Sequence, residues 1–165
     1  MHHYPSKEAL VDAFVTRSSD ECLSEIHEHL EPIARGCGKR TKAFVDLMLK
    51  DPAMCKPESS REIAAVMIAL MQGRMISHAE DFYRRLADQL RGDGVSQAIL
   101  ELIVASVDGL WLQATVLPAD RVARSAGQIR LQLRRMIDSD LQKHVTKKGP
   151  ARSPSKKQLS PGAAR

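Results

Sequence analysis

The residues best suited to chemistry in this sequence are two histidines and a glutamate in the run His27-Glu28-His29. Imidazole and carboxylate groups are common metal ligands. Two histidines two positions apart diverge on a helix, however, and the spacing is not that of the HExxH zinc motif. Exposed surface residues are therefore the better interpretation of this run, and we predict no metal site.

Nucleophilic catalysis and phosphate binding also lack their usual patterns. Ser18, Ser19 and Cys37 have no base nearby in the sequence, and we find no glycine-rich phosphate loop and no carboxylate pair with catalytic spacing. The three cysteines are an odd number without a CxxC pair, which predicts reduced thiols. The first ten residues lack the apolar core of a signal peptide. We predict a cytoplasmic protein that needs no cofactor and is not an enzyme.

Composition predicts a helical domain followed by a basic tail. The 165 residues are 43% apolar and 27% charged, with only 4% aromatics and seven methionines, which favours helix over strand. Seven of the 25 Lys and Arg residues lie from Lys143 onward, where no acidic residue occurs. Residues 1–142, which we call the body, contain the remaining 18 basic residues and all 20 acidic residues. The body therefore carries a charge of about −2. Such a body is not an evident nucleic-acid surface.

The central element is the stretch Ser96–Leu117, which is apolar almost all the way round a helix. A helix with one buried stripe is apolar only at three- and four-residue steps, so at least two faces of this helix require cover. Glu101 and Asp108 fall in its middle and argue against a membrane span. We expect its own domain on one side, and a second copy, a ligand cavity or both on the other.

The other elements follow from apolar periodicity and from helix start and stop signals. Ser6 begins the first helix and Pro32 follows its end. In chain order, the predicted helices cover about 7–30, about 40–50, a stretch opening at Ser59 or Ser60, a stretch from near Ser77 to Gly92, 96–117, and 121–142. With no strand signal, the prediction is an all-α domain of about six helices with a disordered basic tail.

Two segments carry a resemblance to a known family. Within residues 2–10, His3, Tyr4, Pro5, Ser6, Lys7, Glu8 and Leu10 fit the pattern that follows the recognition helix in the TetR/AcrR transcription regulators. The run VDGLWLQATVL at 107–117 is similar to the penultimate helix of the same family. The two motifs stand in the family's order and at about its separation. The chain thus resembles the family from residue 2 to about residue 142.

The resemblance implies a division of the chain that lacks most of a helix-turn-helix domain. Residues 1–5 match the end of that domain, 6–142 match the effector-binding and dimerisation domain, and 143–165 form the tail. Two explanations are open: the true start lies upstream of Met1, or the chain is a genuine remnant. By resemblance, His3, Tyr4 and Lys7 contact DNA phosphates, although a solvated first-turn lysine is the simpler interpretation of Lys7 within this chain.

The resemblance also implies that the last two helices pair with those of a second copy in a four-helix bundle. The all-round apolar helix supports this, although both helices filling a monomer core is the alternative. The predicted interface comprises Ile99, Ile103, Ser106, Leu110, Val122, Ala126, Ile129, Leu133 and Met136.

An effector cavity between the middle helices is the third implication of the resemblance. Methionine suits an adaptable pocket, and also occurs as plain core. His78 and Asp108 are candidate polar anchors. The alternative for His78 is a surface or capping role, and the alternative for Asp108 is a structural hydrogen bond. The predicted pocket walls are Phe44, Met48, Met67, Met71, Met75, Phe82 and Trp111.

The sequence therefore predicts a ligand-responsive transcriptional regulator of the TetR type, with repression as the expected mode. Its predicted partners are a second copy of the chain, a small-molecule effector and, in the full-length form, operator DNA. We predict no association with a membrane. The alternative is a headless dimeric small-molecule-binding or interaction protein that does not bind DNA itself.

Overall fold

The computed structural model describes residues 4–50, 69, 73 and 75–147; for Met75, Ile76 and residues 145–147 it describes the backbone alone. The two continuous stretches form five helices and no strand, which confirms the predicted all-α class. The predicted helix that opens at Ser59 or Ser60 lies outside the described residues. The helices are α1 (Lys7–Leu30), α2 (Lys39–Lys50), α3 (Met75–Leu90), α4 (Gln97–Val116) and α5 (Ala119–Lys147).

Helix α1 has the bounds that its sequence predicts. The Ser6 hydroxyl accepts a hydrogen bond from the backbone N–H of Ala9 at 3.1 Å, which satisfies one of the free donors of the first turn. Glu8 lies in that turn, where a carboxylate interacts favourably with the helix dipole. The helix ends at Leu30, two residues before Pro32. Local signals are thus sufficient to define this element.

Helix α2 lies at the centre of the described fold because it packs against α1, α4 and α5. Phe44, Val45 and Leu49 of α2 are almost completely buried. Burial of each such side chain stabilises the fold by about 1.5–3 kcal/mol. The other four helices surround these side chains with Leu23, Ile26, Leu30, Leu86, Leu90, Ile103, Val107, Leu110, Val122, Ala126, Leu133 and Ile137.

The start of α2 is held by the buried side chain of Asp93, which lies in the loop between α3 and α4. Its Oδ2 accepts hydrogen bonds from the backbone N–H and the hydroxyl of Thr41, both at 2.8 Å. Its Oδ1 accepts from the N–H of Gly36, also at 2.8 Å. Gly38 has a φ of +66°, and a Cβ there would lie 2.8 Å from the Cγ2 of Ile137. Only glycine permits this conformation and this close approach to α5.

Helix α5 closes the fold and is longer than predicted. Asp140 of α5 accepts hydrogen bonds from the backbone N–H of Ser96 at 2.7 Å and from its hydroxyl at 2.9 Å. Asp46 of α2 forms an ion pair with Arg134 of α5. The helix continues to Lys147, five residues beyond the predicted end at 142. The contacts of Asp140 and Arg134 lie before residue 142, so they hold the predicted part of α5 and do not account for its extra residues.

Candidate functional site

An open groove of about 580 Å³ lies on the outer side of α4 and α5. Leu102, Leu131 and Met136 in this groove are 41%, 53% and 37% exposed. Val116, about four turns along α4 from Leu102, continues this stripe and is 76% exposed. We call this surface the α4–α5 groove. Its lining residues are Leu102, Ser106, Gln128, Ile129, Leu131, Gln132, Leu133, Arg135 and Met136.

The residues predicted for the dimer interface divide between this groove and the interior of the single chain. Those in the groove are Ser106, Ile129, Leu133 and Met136. Those that belong to the core or pack against it are Ile99, Ile103, Leu110, Val122 and Ala126, and two of the groove residues, Ile129 and Leu133, do so as well. Sequence reasoning missed Leu102 and Leu131. A helix that is apolar on every side, such as α4, contains no pattern that separates the outer stripe with Leu102 from the inner one. Leu131 falls outside the three- and four-residue steps of the apolar face of α5.

Helix α4 is also the described helix that is long and apolar enough to cross a membrane, judged by length and composition alone. Only 17% of its most apolar window is buried within the chain. A helix of this kind needs cover from lipid or from protein. The groove lining combines apolar residues with Gln128, Gln132 and Arg135, a mixture that is typical of protein interfaces.

A polar pair lies between α3 and α4, where Tyr83 donates a hydrogen bond from its hydroxyl to Oδ2 of Asp108 at 2.5 Å. Burial and the interaction with Asp108 raise the pKa of Tyr83. Burial also raises the pKa of Asp108, against the smaller opposing effect of the hydrogen bond from Tyr83. Perturbed titrations of this kind cluster at functional sites.

The residues predicted for the effector pocket occupy several environments. Phe44 is fully buried, and Met48 and Phe82 are partly buried against the same core. Trp111 is partly buried on α4. Met67 and Met71 lie outside the described residues, as does the side chain of Met75. The four side chains that the structure describes are thus not among those that line the α4–α5 groove.

Polar contacts connect α1 to α3 along much of α1. Arg85 forms an ion pair with Asp20 at 2.5 Å between Nη1 and Oδ1. The Gln89 side-chain amide donates to the carbonyl of Leu23 at 3.1 Å. His78, predicted as a possible anchor or capping residue, lies with its Nε2 at 3.5 Å from an Oδ1 of Asp12. A displacement of α3 would therefore act directly on α1.

The other described candidate residues lie at or near the two ends of α1. Tyr4 and Lys7, at its N-terminal end, are exposed, and His3 lies outside the described residues. His27, Glu28 and His29 are exposed near its C-terminal end. Across the part of the chain that the structure describes, no three His, Cys, Asp or Glu side chains are grouped to hold a metal ion.

Comparison with known proteins assigns the fold to a family. No curated protein and no solved structure matches the chain. A sequence model of the family described as "Tetracyclin repressor-like, C-terminal domain" matches residues 38–138, which is more than half of the chain. The match begins just before α2 and ends within α5, so it includes the helices that form the groove and the Tyr83–Asp108 pair. The chain belongs to the family of tetracycline repressor-like C-terminal domains.

Proposed function

We propose that this protein is a ligand-responsive transcriptional regulator of the TetR type, with repression as its mode, that works as a homodimer in the cytoplasm. In this proposal α1 to α5 supply the dimer contact and bind a small-molecule effector, without catalysis and without a membrane. A helix-turn-helix in the full-length form reads operator DNA. The observation that carries the proposal is the exposed apolar α4–α5 groove in a chain of this family.

The α4–α5 groove has the composition of a surface that a second copy covers. Leu102, Leu131 and Met136 leave apolar area in water, and covering it is favourable by about 25 cal/mol per Å². Methionine and arginine, here Met136 and Arg135, are enriched at protein interfaces. In a two-fold symmetric dimer each copy offers the same patch to the other. The groove of each chain therefore supplies one half of the contact.

The α1–α3 contacts provide a route from the effector to DNA. Helix α1 is about 36 Å long at 1.5 Å per residue. Its ion pair with Arg85 and its hydrogen bond with Gln89 transmit a shift of α3 to the N-terminal end, where Tyr4 and Lys7 are exposed. We propose that these two residues, with His3, contact DNA phosphates in the full-length form. In this proposal the protein has two arrangements that differ in the position of α1. An effector changes DNA binding only if its affinity for the two arrangements differs.

The dimer is tested by placing a charge in the groove. Leu131→Glu puts a carboxylate among Leu102, Ile129 and Met136, so we expect sedimentation equilibrium to show a dimer for the unaltered chain and a monomer for the variant at tens of micromolar. The matched control is Leu10→Glu on α1, where the leucine is 48% exposed and lies outside the groove. A monomeric unaltered chain, or equal dimerisation of both variants, contradicts the proposal.

DNA binding is tested separately by gel shift. A form that carries a helix-turn-helix before α1 is expected to retard its operator, and its effector is expected to reverse the shift. Residues 1–165 alone are expected to give no sequence-specific shift, because base contacts come from the recognition helix. Failure of the longer form to bind any operator would favour the alternative, a dimeric small-molecule-binding or interaction protein that does not bind DNA itself.

A further inference from the structure

The outward side of α4 carries apolar residues at alternating steps of four and three positions. This spacing keeps residues on one side of a helix turn after turn, and it is the pattern of a seam that packs against a second helix. The residues of this side are exposed or partly exposed, so they are not covered within the part of the chain that the structure describes. We call this side the α4 seam, and its members are Ala98, Leu102, Ala105, Gly109, Leu112 and Val116.

The sizes of the side chains are symmetric about the middle of the α4 seam. Two small residues, Ala105 and Gly109, lie at the centre, and Leu102 and Leu112 lie about one turn to either side. Small residues at the point where two helices cross let their axes approach closely, and larger side chains fill the space on both sides of that point. A seam with this order is complementary to a second copy of itself that runs in the opposite direction.

Glycine at position 109 has no explanation within the described part of the single chain. A Cβ at Gly109 would meet no atom of that part within 4 Å, so the packing there does not require glycine. The residue lies inside α4, where glycine is less favourable than alanine because it loses more conformational freedom on folding. Close approach of a helix from another chain would use the space that the missing side chain leaves.

We propose that α4 packs directly against α4 of a second copy, with the two helices antiparallel and crossing between Ala105 and Gly109. In this register Leu102 of one copy lies against Leu112 of the other, and the two-fold axis makes the same contact twice. Leu102 also lines the α4–α5 groove, so the seam and the groove form one continuous contact surface. The proposal rests on the dimer of the proposed function and adds the register of the two α4 helices.

The antiparallel register separates residues that a parallel register would bring together. The two copies of Leu102 lie about 15 Å apart along the helix axes in the antiparallel register, because the ten positions from Leu102 to Leu112 rise about 1.5 Å each. In a parallel register each Leu102 would face its own counterpart. A disulfide forms only between cysteines whose Cα atoms are about 4.4–6.8 Å apart. Cross-linking at these two positions therefore distinguishes the two registers.

The test is disulfide cross-linking of the 165-residue chain in which Cys22, Cys37 and Cys55 are replaced by alanine. Chains with Leu102→Cys and chains with Leu112→Cys are oxidised separately and as an equilibrated mixture, and the products are separated by non-reducing electrophoresis. We expect the mixture to give at least about ten times more cross-linked dimer than either chain alone. Cross-linking of either chain alone to the level of the mixture overturns the antiparallel register.

A second pair of variants tests the close approach at the crossing. Gly109→Leu places a bulky side chain there, so we expect sedimentation equilibrium to show a dimer dissociation constant raised at least about tenfold. The matched control is Gly127→Leu on α5, where a Cβ also meets no described atom within 4 Å and which does not line the groove. We expect this control to change the constant by less than about threefold. Equal dimerisation of the two variants overturns the crossing at Gly109.

The unaltered chain distinguishes failure of this register from failure of the proposed dimer. An unaltered dimer whose Leu102→Cys variant cross-links to itself keeps the dimer of the proposed function and overturns the antiparallel register alone. An unaltered chain that sediments as a monomer overturns both. Circular dichroism of each variant shows whether a lost dimer reflects unfolding, and the cross-linking result, which uses substitutions at exposed positions, does not depend on the glycine variants.

Discussion

At the scale of single residues, Asp93 shows how one buried carboxylate joins segments that are distant in sequence. Its side chain is 1% exposed and accepts three hydrogen bonds from the start of α2 and the loop before it. Each donor would otherwise be a polar group without a partner inside the fold. The carboxylate thus replaces the capping residue that the N-terminus of α2 lacks locally.

Removing this carboxylate is expected to destabilise the fold strongly. Asp93→Ala leaves the N–H and hydroxyl of Thr41 and the N–H of Gly36 without their acceptor, so we expect a loss of about 3 kcal/mol or more in the free energy of unfolding. Urea titration followed by circular dichroism measures the loss. Asp88→Ala, which removes a surface partner of Arg91, is the control and is expected to cost less than about 1 kcal/mol. Similar losses in the two variants would contradict this role.

At the scale of elements, the N-terminus of α4 depends on a residue from another helix. Ser96 occupies the N-cap position, but its side chain makes no capping hydrogen bond to its own helix. Asp140 of α5 accepts from the N–H and the hydroxyl of Ser96 instead. The hydrogen bond from that N–H is the largest cause that lowers the pKa of Asp140. The position of the apolar helix α4 is therefore linked to α5 at this end.

This link predicts a pH dependence with a definite sign. The folded-state pKa of Asp140 lies below the unfolded value of about 3.9, so its contribution is complete above that value and is lost as the pH falls through the folded pKa. Asp140→Ala is expected to lower the Tm by about 2–4 °C at pH 7. The gap between variant and unaltered chain should narrow below about pH 4.

Scanning calorimetry at several pH values measures that gap. Asp120→Ala, which removes the surface partner of Arg124 on the same helix, is the control and is expected to change the Tm by less than Asp140→Ala at neutral pH. A difference between Asp140→Ala and the unaltered chain that stays constant from pH 7 to pH 3 would show that Asp140 does not act through its charge.

At the scale of the whole molecule, the uneven cover of α4 is the feature with the widest consequences. Its inner stripe, with Ile103, Val107 and Leu110, completes the core of one chain. Its outer stripe, with Leu102 and Val116, is exposed. Because covering an exposed apolar stripe is favourable, folding and self-association of this chain are coupled in our proposal.

Coupled association predicts that thermal stability depends on protein concentration. We expect the Tm of the unaltered chain to rise between 1 and 100 µM, because a dimer that forms only from folded chains shifts the folding equilibrium by mass action. The Tm of Leu131→Glu should stay constant over the same range, while Leu10→Glu should behave like the unaltered chain. A Tm that is independent of concentration in all three proteins would argue against a dimer through the groove.

The helical class, the bounds of α1 and the family can be predicted without any knowledge of how the helices pack. These depend on local quantities: the capping serine before α1, the proline after it, the three- and four-residue apolar steps, and the runs at residues 2–10 and 107–117. The charge surplus of the tail is equally independent of folding, because it follows from composition alone.

The stripe of α4 that faces the core, and the groups that meet across helices, follow from the packing of the helices. Ile103 and Leu102 are adjacent apolar residues, yet one is fully buried and the other is 41% exposed, because the described helices α2 and α5 pack against the side of α4 that carries Ile103. Asp93 contacts Thr41 across 52 positions, and Tyr83 contacts Asp108 across 25. No periodicity or cap signal contains such pairings, since they arise when separate helices pack and a polar side chain must find its partner on another element.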